Sequence, residues 1–312
     1  MSLAAINGGD AADRWHVPVM VEEVCGLLSA HGPLAFVDVT VGTGGHAAAM
    51  MRAMDAMHSK SARMLGLDRD AAALELARER LAEFGDRVVL RRADFGEIAD
   101  AMRECGFTGA DAMLADLGMS SFALDDPKRG FSFRFDGPLD MRMDTSQPVR
   151  AYDIVNEESE EELARIIYTY GEERASRRIA KLIADARRRR PIETTGELRA
   201  IVERALGAHR RGAAHPATRT FQALRIAVNR EMESLAALLR DGPALLNPGG
   251  RMVVISYHSL EDRPVKERFR ELVRAGGYIA IARKVIKASA AETASNPRAR
   301  SARVRCIERE AA

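Results

Sequence analysis

The stretch Phe36-Val37-Asp38-Val39-Thr40-Val41-Gly42-Thr43-Gly44-Gly45-His46 decides how this chain of 312 residues folds. It begins as a β-branched apolar run, turns through three glycines within four positions, and enters Ala-rich sequence from Ala47 to Met57. That reads as a strand, a tight turn and a helix N-terminus. Glycines there let the backbone approach a ligand closely, and the first helical N–H groups have no partner of their own.

The fingerprint departs from the dinucleotide pattern G-x-G-x-x-G, because Ala47 stands at the third glycine position, although alanine is sometimes accepted there. The acidic residues that follow discriminate better. An apolar run over Met64–Leu67 ends at Asp68, a run over Val88–Leu90 leads to Asp94-Phe95, and a run over Ala112–Ala115 ends at Asp116. Three strands would thus deliver carboxylates to the carboxyl edge of the sheet, where open α/β folds bind ligands. Such a wall repels a pyrophosphate and tolerates a cation, so the sulfonium of S-adenosylmethionine fits it. In that reading Asp68 accepts ribose hydroxyls, Asp94 and Phe95 meet the adenine, and Asp116 lies nearest the reacting group.

A chain of this length implies two domains or one domain with an insertion. Hydrophobic residues make up 46% and charged residues 29%, an ordinary globular balance. The net charge is only +2, yet it is unevenly spread: residues 165–230 hold 16 Lys and Arg against 6 Asp and Glu, and residues 263–312 hold 13 against 5. The remainder is therefore net −16, an acidic lobe accompanied by two basic segments, as suits an enzyme with a phosphate-bearing substrate. Cys25, Cys105 and Cys306 are isolated and odd in number, which argues against both a metal site and a disulfide framework. Residues 1–13 lack the basic and apolar succession of a signal peptide, and no run of about 18 apolar residues occurs. A cytoplasmic location is expected.

In chain order, the sequence from Trp15 to Met20 opens a helix whose apolar face is Val21, Val24, Leu27 and Leu28; His16 is either a ligand contact or a surface residue. Strand and helix then alternate to Leu117, with helices over 45–57, 70–84 and 97–105, which implies parallel strands with right-handed crossovers. Residues 118–150 are irregular. There Phe131, Phe133 and Phe135 alternate with serine and Arg134, either to stack on bases or to cover an apolar surface. Helices follow over 159–169, with Ser159 as cap, over 174–190, which ends before Pro191 in the run Arg187–Arg190, either an RNA phosphate contact or a solvated face, and over 195–206. A helix from 218 to 239 leads through Asn247-Pro248-Gly249-Gly250 to a strand, Met252–Ser256, whose end carries Tyr257, His258, Ser259, Glu261 and Asp262. A helix over 261–275, strands over 278–286 and 302–307, and a mobile basic loop over 289–301 complete the expectation. The domains read as 1–122 and 217–312 for an α/β domain, with 123–216 as a helical insert.

The motifs His16-Val17-Pro18-Val19-Met20, Asp38 to His46, Asp116-Leu117-Gly118-Met119-Ser120-Ser121, Arg129-Gly130-Phe131-Ser132-Phe133, Asp140-Met141-Arg142-Met143-Asp144, Ile255 to Arg263 and Asn296 to Ser301 together carry a family resemblance. From about residue 15 to 309 the chain closely resembles the bacterial small-subunit rRNA cytosine-N4 methyltransferases (RsmH, also called MraW). The resemblance implies a class I (Rossmann-like) S-adenosylmethionine-dependent methyltransferase fold with an inserted all-helical domain that recognises substrate. It implies S-adenosylmethionine as donor and, as acceptor, a decoding-centre cytosine of 16S rRNA in the 30S subunit or a late assembly intermediate. Neither metal nor membrane is implied, and the oligomeric state is left open. The family's cofactor contacts fall on Gly44, Gly45, His46, Asp68, Phe95 and Asp116. One position departs: after Ser120-Ser121-Phe122 the chain has Ala123 where the family usually has glutamine, so a side-chain amide contact is lost.

Cytosine N4 is a poor nucleophile because its lone pair is delocalised into the ring. The site must align N4 with the methyl carbon and polarise its N–H bonds. Asp116, or carbonyls of the turn after it, is the expected acceptor; His258, Ser259 and Asp262 are expected to hold the base or relay its proton. Tyr257 or one of the three phenylalanines would stack the extruded base. Two rivals keep the fold: another amine acceptor, on nucleic acid or protein, and a non-catalytic RNA-binding assembly factor. A nicotinamide oxidoreductase is disfavoured by Ala47 and the acidic strand ends.

Overall fold

The computed structural model describes residues 17–58, 61–119, 124–207 and 215–311. In chain order the elements are α1 (Val21–Leu28), β1 (Ala35–Asp38), α2 (Gly45–His58), β2 (Arg63–Asp68), α3 (Ala71–Arg80), β3 (Val88–Arg92), α4 (Ile98–Glu104) and β4 (Ala110–Asp116). Five helices follow: α5 (Ala151–Glu157), α6 (Glu160–Gly171), α7 (Ser176–Arg187), α8 (Thr195–Leu206) and α9 (Ala217–Asn229). Then come α10 (Glu231–Asp241), β5 (Leu246–Ser256), α11 (Ser259–Ala275), β6 (Tyr278–Ala280), α12 (Ala290–Ser295) and β7 (Arg303–Arg309). The chain forms two compact units, Met1–Gly118 with Glu233–Ala312, and Met119–Met232.

The first unit is a seven-stranded sheet in the order β3-β2-β1-β4-β5-β7-β6. The strands from β1 to β5 pair in parallel, and β7 runs antiparallel to both β5 and β6. The strand order reverses at the β1–β4 pair, where Asp38 is in register with Leu114. Strands buried on both faces explain the near-continuous apolar runs: Leu65, Leu67, Met113, Leu114, Val253 and Ile255 are all inaccessible. A reversal of this kind leaves a crevice above the carboxyl ends of the two central strands, and both strands end in aspartate.

Several boundaries differ from expectation. The first helix begins only at Val21, because Met20 adopts a left-handed conformation, φ 54°. The helix expected over 218–239 is two helices, broken at Arg230 (φ 50°); the Arg225 guanidinium grips the Glu231 carboxylate across the break at 2.8 and 2.7 Å. Residues 217–232 accordingly belong to the helical unit, and the chain returns to the sheet unit at Glu233 rather than at 217. The strand expected over 278–286 stops at Ala280, leaving Ile286 in an isolated bridge with Val304. The basic loop expected over 289–301 is ordered: Ser289 caps α12, a 3₁₀ turn spans Pro297–Ser301, and the Met20 N–H donates to Glu292 at 3.0 Å.

The helical unit has its own core, in which Leu163, Ile167, Ile179, Ile183, Leu198 and Leu224 are fully buried. Gly171 lets α6 meet α9 closely, since a Cβ there would lie 2.6 Å from the Arg219 carbonyl oxygen. The segment Asp140–Asp144 is a knot within this unit. Asp140 accepts from Arg142 Nε and Nη2 at 2.8 Å each, and Arg142 Nη1 donates to the carbonyls of Thr145 and Gln147 at 2.9 and 2.7 Å. Asn229 donates to the Met141 carbonyl and accepts from the Met143 N–H, both at 2.8 Å. The residues of that motif are thus employed in holding the irregular segment to α9.

Among the described residues no helix is long and apolar enough to cross a membrane. No group of three or more His, Cys, Asp or Glu is arranged to hold a metal ion there either.

Candidate active site at the carboxyl edge of the sheet

The glycine turn works through specific contacts. Gly42 (φ 52°) donates its N–H to Asp68 Oδ2 at 2.9 Å, and the Val41 N–H reaches the Leu67 carbonyl at 2.8 Å, so the turn after β1 is fastened to the end of β2. Gly45 has ordinary dihedrals but packs on Pro18, whose Cγ would be 2.6 Å from any Cβ. Gly44 sits at φ 81°, a left-handed conformation that glycine adopts without strain.

Three carboxylates gather there. Asp38, 1% exposed, accepts the Thr40 N–H at 3.1 Å. Burial first, and then the charges of Asp116 and Asp68, push its pKa up to about 8. Asp68 accepts from the Asp70 N–H at 2.8 Å as well as from Gly42; burial nevertheless pushes its pKa up to about 6. Asp116 accepts the Gly118 N–H at 3.2 Å, and its own N–H donates to Thr40 Oγ1 at 2.7 Å. The Tyr257 hydroxyl also bonds to Asp116; burial and then that carboxylate's charge raise the phenol's pKa, so it stays a neutral donor.

His46, 7% exposed, completes the group. Its Nε2 lies 2.8 Å from the Val19 carbonyl, which can only accept, so Nε2 carries the proton and Nδ1 faces Asp116 Oδ2 at 3.7 Å. Asp38 and Thr40 were not singled out in the sequence. The signal was present: Asp38 ends β1 as Asp68 ends β2 and Asp116 ends β4.

The other expected residues are placed differently. Asp94 is ion-paired with Arg69 and accepts the Gly96 N–H at 2.7 Å, so it is not a free carboxylate awaiting an adenine edge. The same Arg69 lies 5.7 Å from the ring of half-buried Phe95. His258 Nε2 is 2.9 Å from Glu261 Oε1, and the other oxygen of this buried Glu261 takes the Tyr257 N–H at 2.8 Å. Ser259 opens α11 beside them. Asp262 is not free for proton transfer: both its oxygens are held by Arg305, at 2.7 and 3.0 Å, with Arg303 at 3.7 Å, which ties α11 to β7. The Tyr257 ring also packs against Gly118, where a Cβ would lie 2.6 Å from its Cε2.

In the helical unit Phe131 is buried beneath Arg129, and Phe133 stacks on His215 at 4.7 Å and meets Phe221 edge-on at 5.2 Å. Both serve as packing; Phe135 alone of the three is exposed, at 57%. The arginine run is likewise divided. Arg187 donates to the Val155 carbonyl at 2.7 Å and to that of Glu158, capping α5, while Arg188 pairs with Asp185 and Arg190 with Glu197. His16 and the stretch Ser120-Ser121-Phe122-Ala123 lie outside the described residues.

With this geometry in hand, similarity to known proteins is informative. The MraW methylase family profile matches residues 13–310. A ribosomal RNA small subunit methyltransferase H of Symbiobacterium thermophilum is 46% identical over 308 residues, covering 94% of this chain and 96% of its own. The protein of the same description from Syntrophotalea carbinolica is 49% identical over 310 residues, covering 94% and 98%. Among solved structures, an rRNA methylase from Streptococcus thermophilus superposes with a TM-score of 0.40 at 11% identity, covering 93% of each chain.

Proposed function

The chain belongs to the MraW methylase family, and from that premise we propose that it transfers the methyl group of S-adenosylmethionine to the exocyclic N4 of a decoding-centre cytosine, cytosine 1402, of 16S rRNA. The observation that carries this reading is the pair Asp68 and Asp116 at the carboxyl ends of β2 and β4. The donor set fits the cofactor: carboxylates suit a sulfonium and ribose hydroxyls, and Arg69, which follows Asp68 in the chain, is already matched with Asp94 and so does not prepare a phosphate site. When bound, S-adenosylmethionine supplies an electrophilic methyl group.

The residues then have distinct tasks. Asp68 keeps lone pairs for ribose hydroxyls after taking two backbone N–H groups. Gly44, Gly45 and His46 form the turn beneath the cofactor, and Phe95 offers an apolar face to the adenine. Asp116 accepts a hydrogen bond from N4 and stabilises the positive charge that develops there until the nitrogen loses its proton, held in place by the Tyr257 hydroxyl and the Gly118 N–H. His258 and Ser259, at the head of α11, orient the base; Asp262 acts at a remove, by fixing α11 through Arg305. The helical unit recognises the RNA of the 30S subunit or a late assembly intermediate, in the cytoplasm.

Calorimetry with S-adenosylmethionine, NADH and ATP tests the pocket, and mass spectrometry of rRNA from cells with and without the protein tests the acceptor. Binding of S-adenosylmethionine alone, with one cytosine losing its N4 methyl in the deletion strain, is the expected result. Preference for NADH or ATP, or an unchanged rRNA, refutes it.

A further inference from the structure

Most arginines of the helical unit have partners. Arg142, Arg150, Arg165, Arg190 and Arg225 each meet a carboxylate within 3 Å, and Arg187 is spent on carbonyls. The exposed face of α7 is different. Arg177, Arg178 and Lys181 are exposed, and among the described residues none of them forms an ion pair or hydrogen bond. At 100° per residue the three share one face, opposite the buried Ile179 and Ile183. From Arg177 to Lys181 the cations span about 6 Å of helix, and Asp185, one turn further on, lies on the same face.

Two features show that these charges do not serve the helix. The first turn of α7 contains no acid, and Arg177 and Arg178 stand at the positive end of the helix dipole, where cations are unfavourable. The acids nearby are engaged or off the face: Asp185 holds Arg188, and Glu173 takes the Ala175 N–H at 2.9 Å and faces Arg219. A line of uncompensated cations on a rigid, well-packed helix is matched by a polyanion, whose strand carries one charge per about 3.4 Å.

We propose that the exposed face of α7, through Arg177, Arg178 and Lys181, is a docking surface for the phosphate backbone of RNA. It rests on the reading of the chain as an RNA methyltransferase and replaces the Arg187–Arg190 run as the principal phosphate contact of the helical unit. The contact is sequence-independent: it raises affinity and leaves the choice of base to the sheet unit.

The test is a salt titration of binding to a fluorescent transcript of the decoding-region stem–loop. Arg177→Gln, Arg178→Gln and Lys181→Gln are combined; Gln keeps helix propensity, and circular dichroism reports the fold. The expected slope of log K against log salt is shallower by about 2 to 3, from loss of three phosphate contacts. A control triplet, Arg52→Gln, Arg78→Gln and Arg103→Gln, removes equal charge from exposed pairs of the sheet unit and leaves the slope unchanged. An unshifted slope in the α7 variant, an equal shift in the control, or stronger competition by poly-glutamate than by RNA of equal charge overturns the proposal. Cofactor binding and methyl transfer by the parent chain are read in parallel. Their absence refutes the functional reading, whereas intact transfer with an unshifted slope refutes only the assignment to α7.

Discussion

Replacing Asp38 by asparagine isolates the effect of a carboxyl group buried among other acids. The folded pKa is about 8 against an ordinary value of 3.8, so between those two values the folded chain holds a proton that the unfolded chain has released. Stability contributed by this group is therefore complete below about pH 4 and lost as the pH rises toward 8, at about 1.4 kcal/mol per unit. At pH 7 the loss is about 4 kcal/mol, an upper figure, because small movements and water relieve part of the cost of a buried charge. The amide introduced by Asp38→Asn keeps an oxygen for the Thr40 N–H and never ionises. Urea titrations from pH 5 to 9, with hydrogen exchange read on the β1 and β4 peptides so that the sheet unit is seen separately, measure the difference. The margin of the variant over the wild type should already be present near pH 5 and widen by a few kcal/mol by pH 8. Parallel pH profiles for the two proteins would show that Asp38 is ionised at neutral pH and refute the burial reasoning. Asp68, with its pKa near 6, adds a smaller decline of the same sign below pH 6 in both proteins.

Asp116→Asn preserves shape and the acceptor for the Gly118 N–H but removes the charge, so radiolabelled methyl incorporation should fall by about 10²- to 10³-fold with the circular dichroism spectrum unchanged; near-full activity would remove Asp116 from the chemistry. Asp262→Asn breaks the two-point grip of Arg305 and should lower unfolding free energy by about 1–3 kcal/mol, with turnover falling only as α11 loosens and its pH profile unchanged. A loss of turnover at unchanged stability would return Asp262 to the proton path. Arg187→Gln leaves the carbonyls at the end of α5 without their donor, and should cost about 1–2 kcal/mol by thermal melting without altering the RNA salt slope.

Much of the sheet was legible because its strands are buried on both faces, which forces apolar runs long enough to recognise, and because Asp68 and Asp116 stand where such runs stop. Asp38 escaped notice for a related reason. Apolar Val39 and Val41 follow it, so the run seemed to continue, whereas β1 ends at Asp38 and both valines are buried in the turn. The break at Arg230 was invisible because apolar periodicity resumes at once in α10; only a left-handed φ separates the helices. Roles that depend on distant partners could not be read locally. Phe133 looked available for a base until His215 and Phe221 closed over it, and Arg187 looked like a phosphate ligand until the carbonyls of α5 claimed it.

The same consideration separates chemistry from architecture in both units. Asp116 ends β4 and Asp262 lies shortly after the end of β5, and both looked fit to take a proton. Arg305, 43 residues further along the chain, neutralises Asp262 with two hydrogen bonds. Among the described residues Asp116 receives only neutral donors, the Tyr257 hydroxyl and the Gly118 N–H, with a histidine nitrogen 3.7 Å away. A carboxylate oriented by neutral donors keeps its charge for whatever cation develops beside it, whereas one locked to a guanidinium has already used it. On α7 the signs are exchanged: Arg187 is consumed by its own fold, and Arg177, Arg178 and Lys181 remain uncompensated among the described residues. Charges that the folded chain leaves unmatched at defined positions are the ones available to a sulfonium in one unit and to a phosphate backbone in the other.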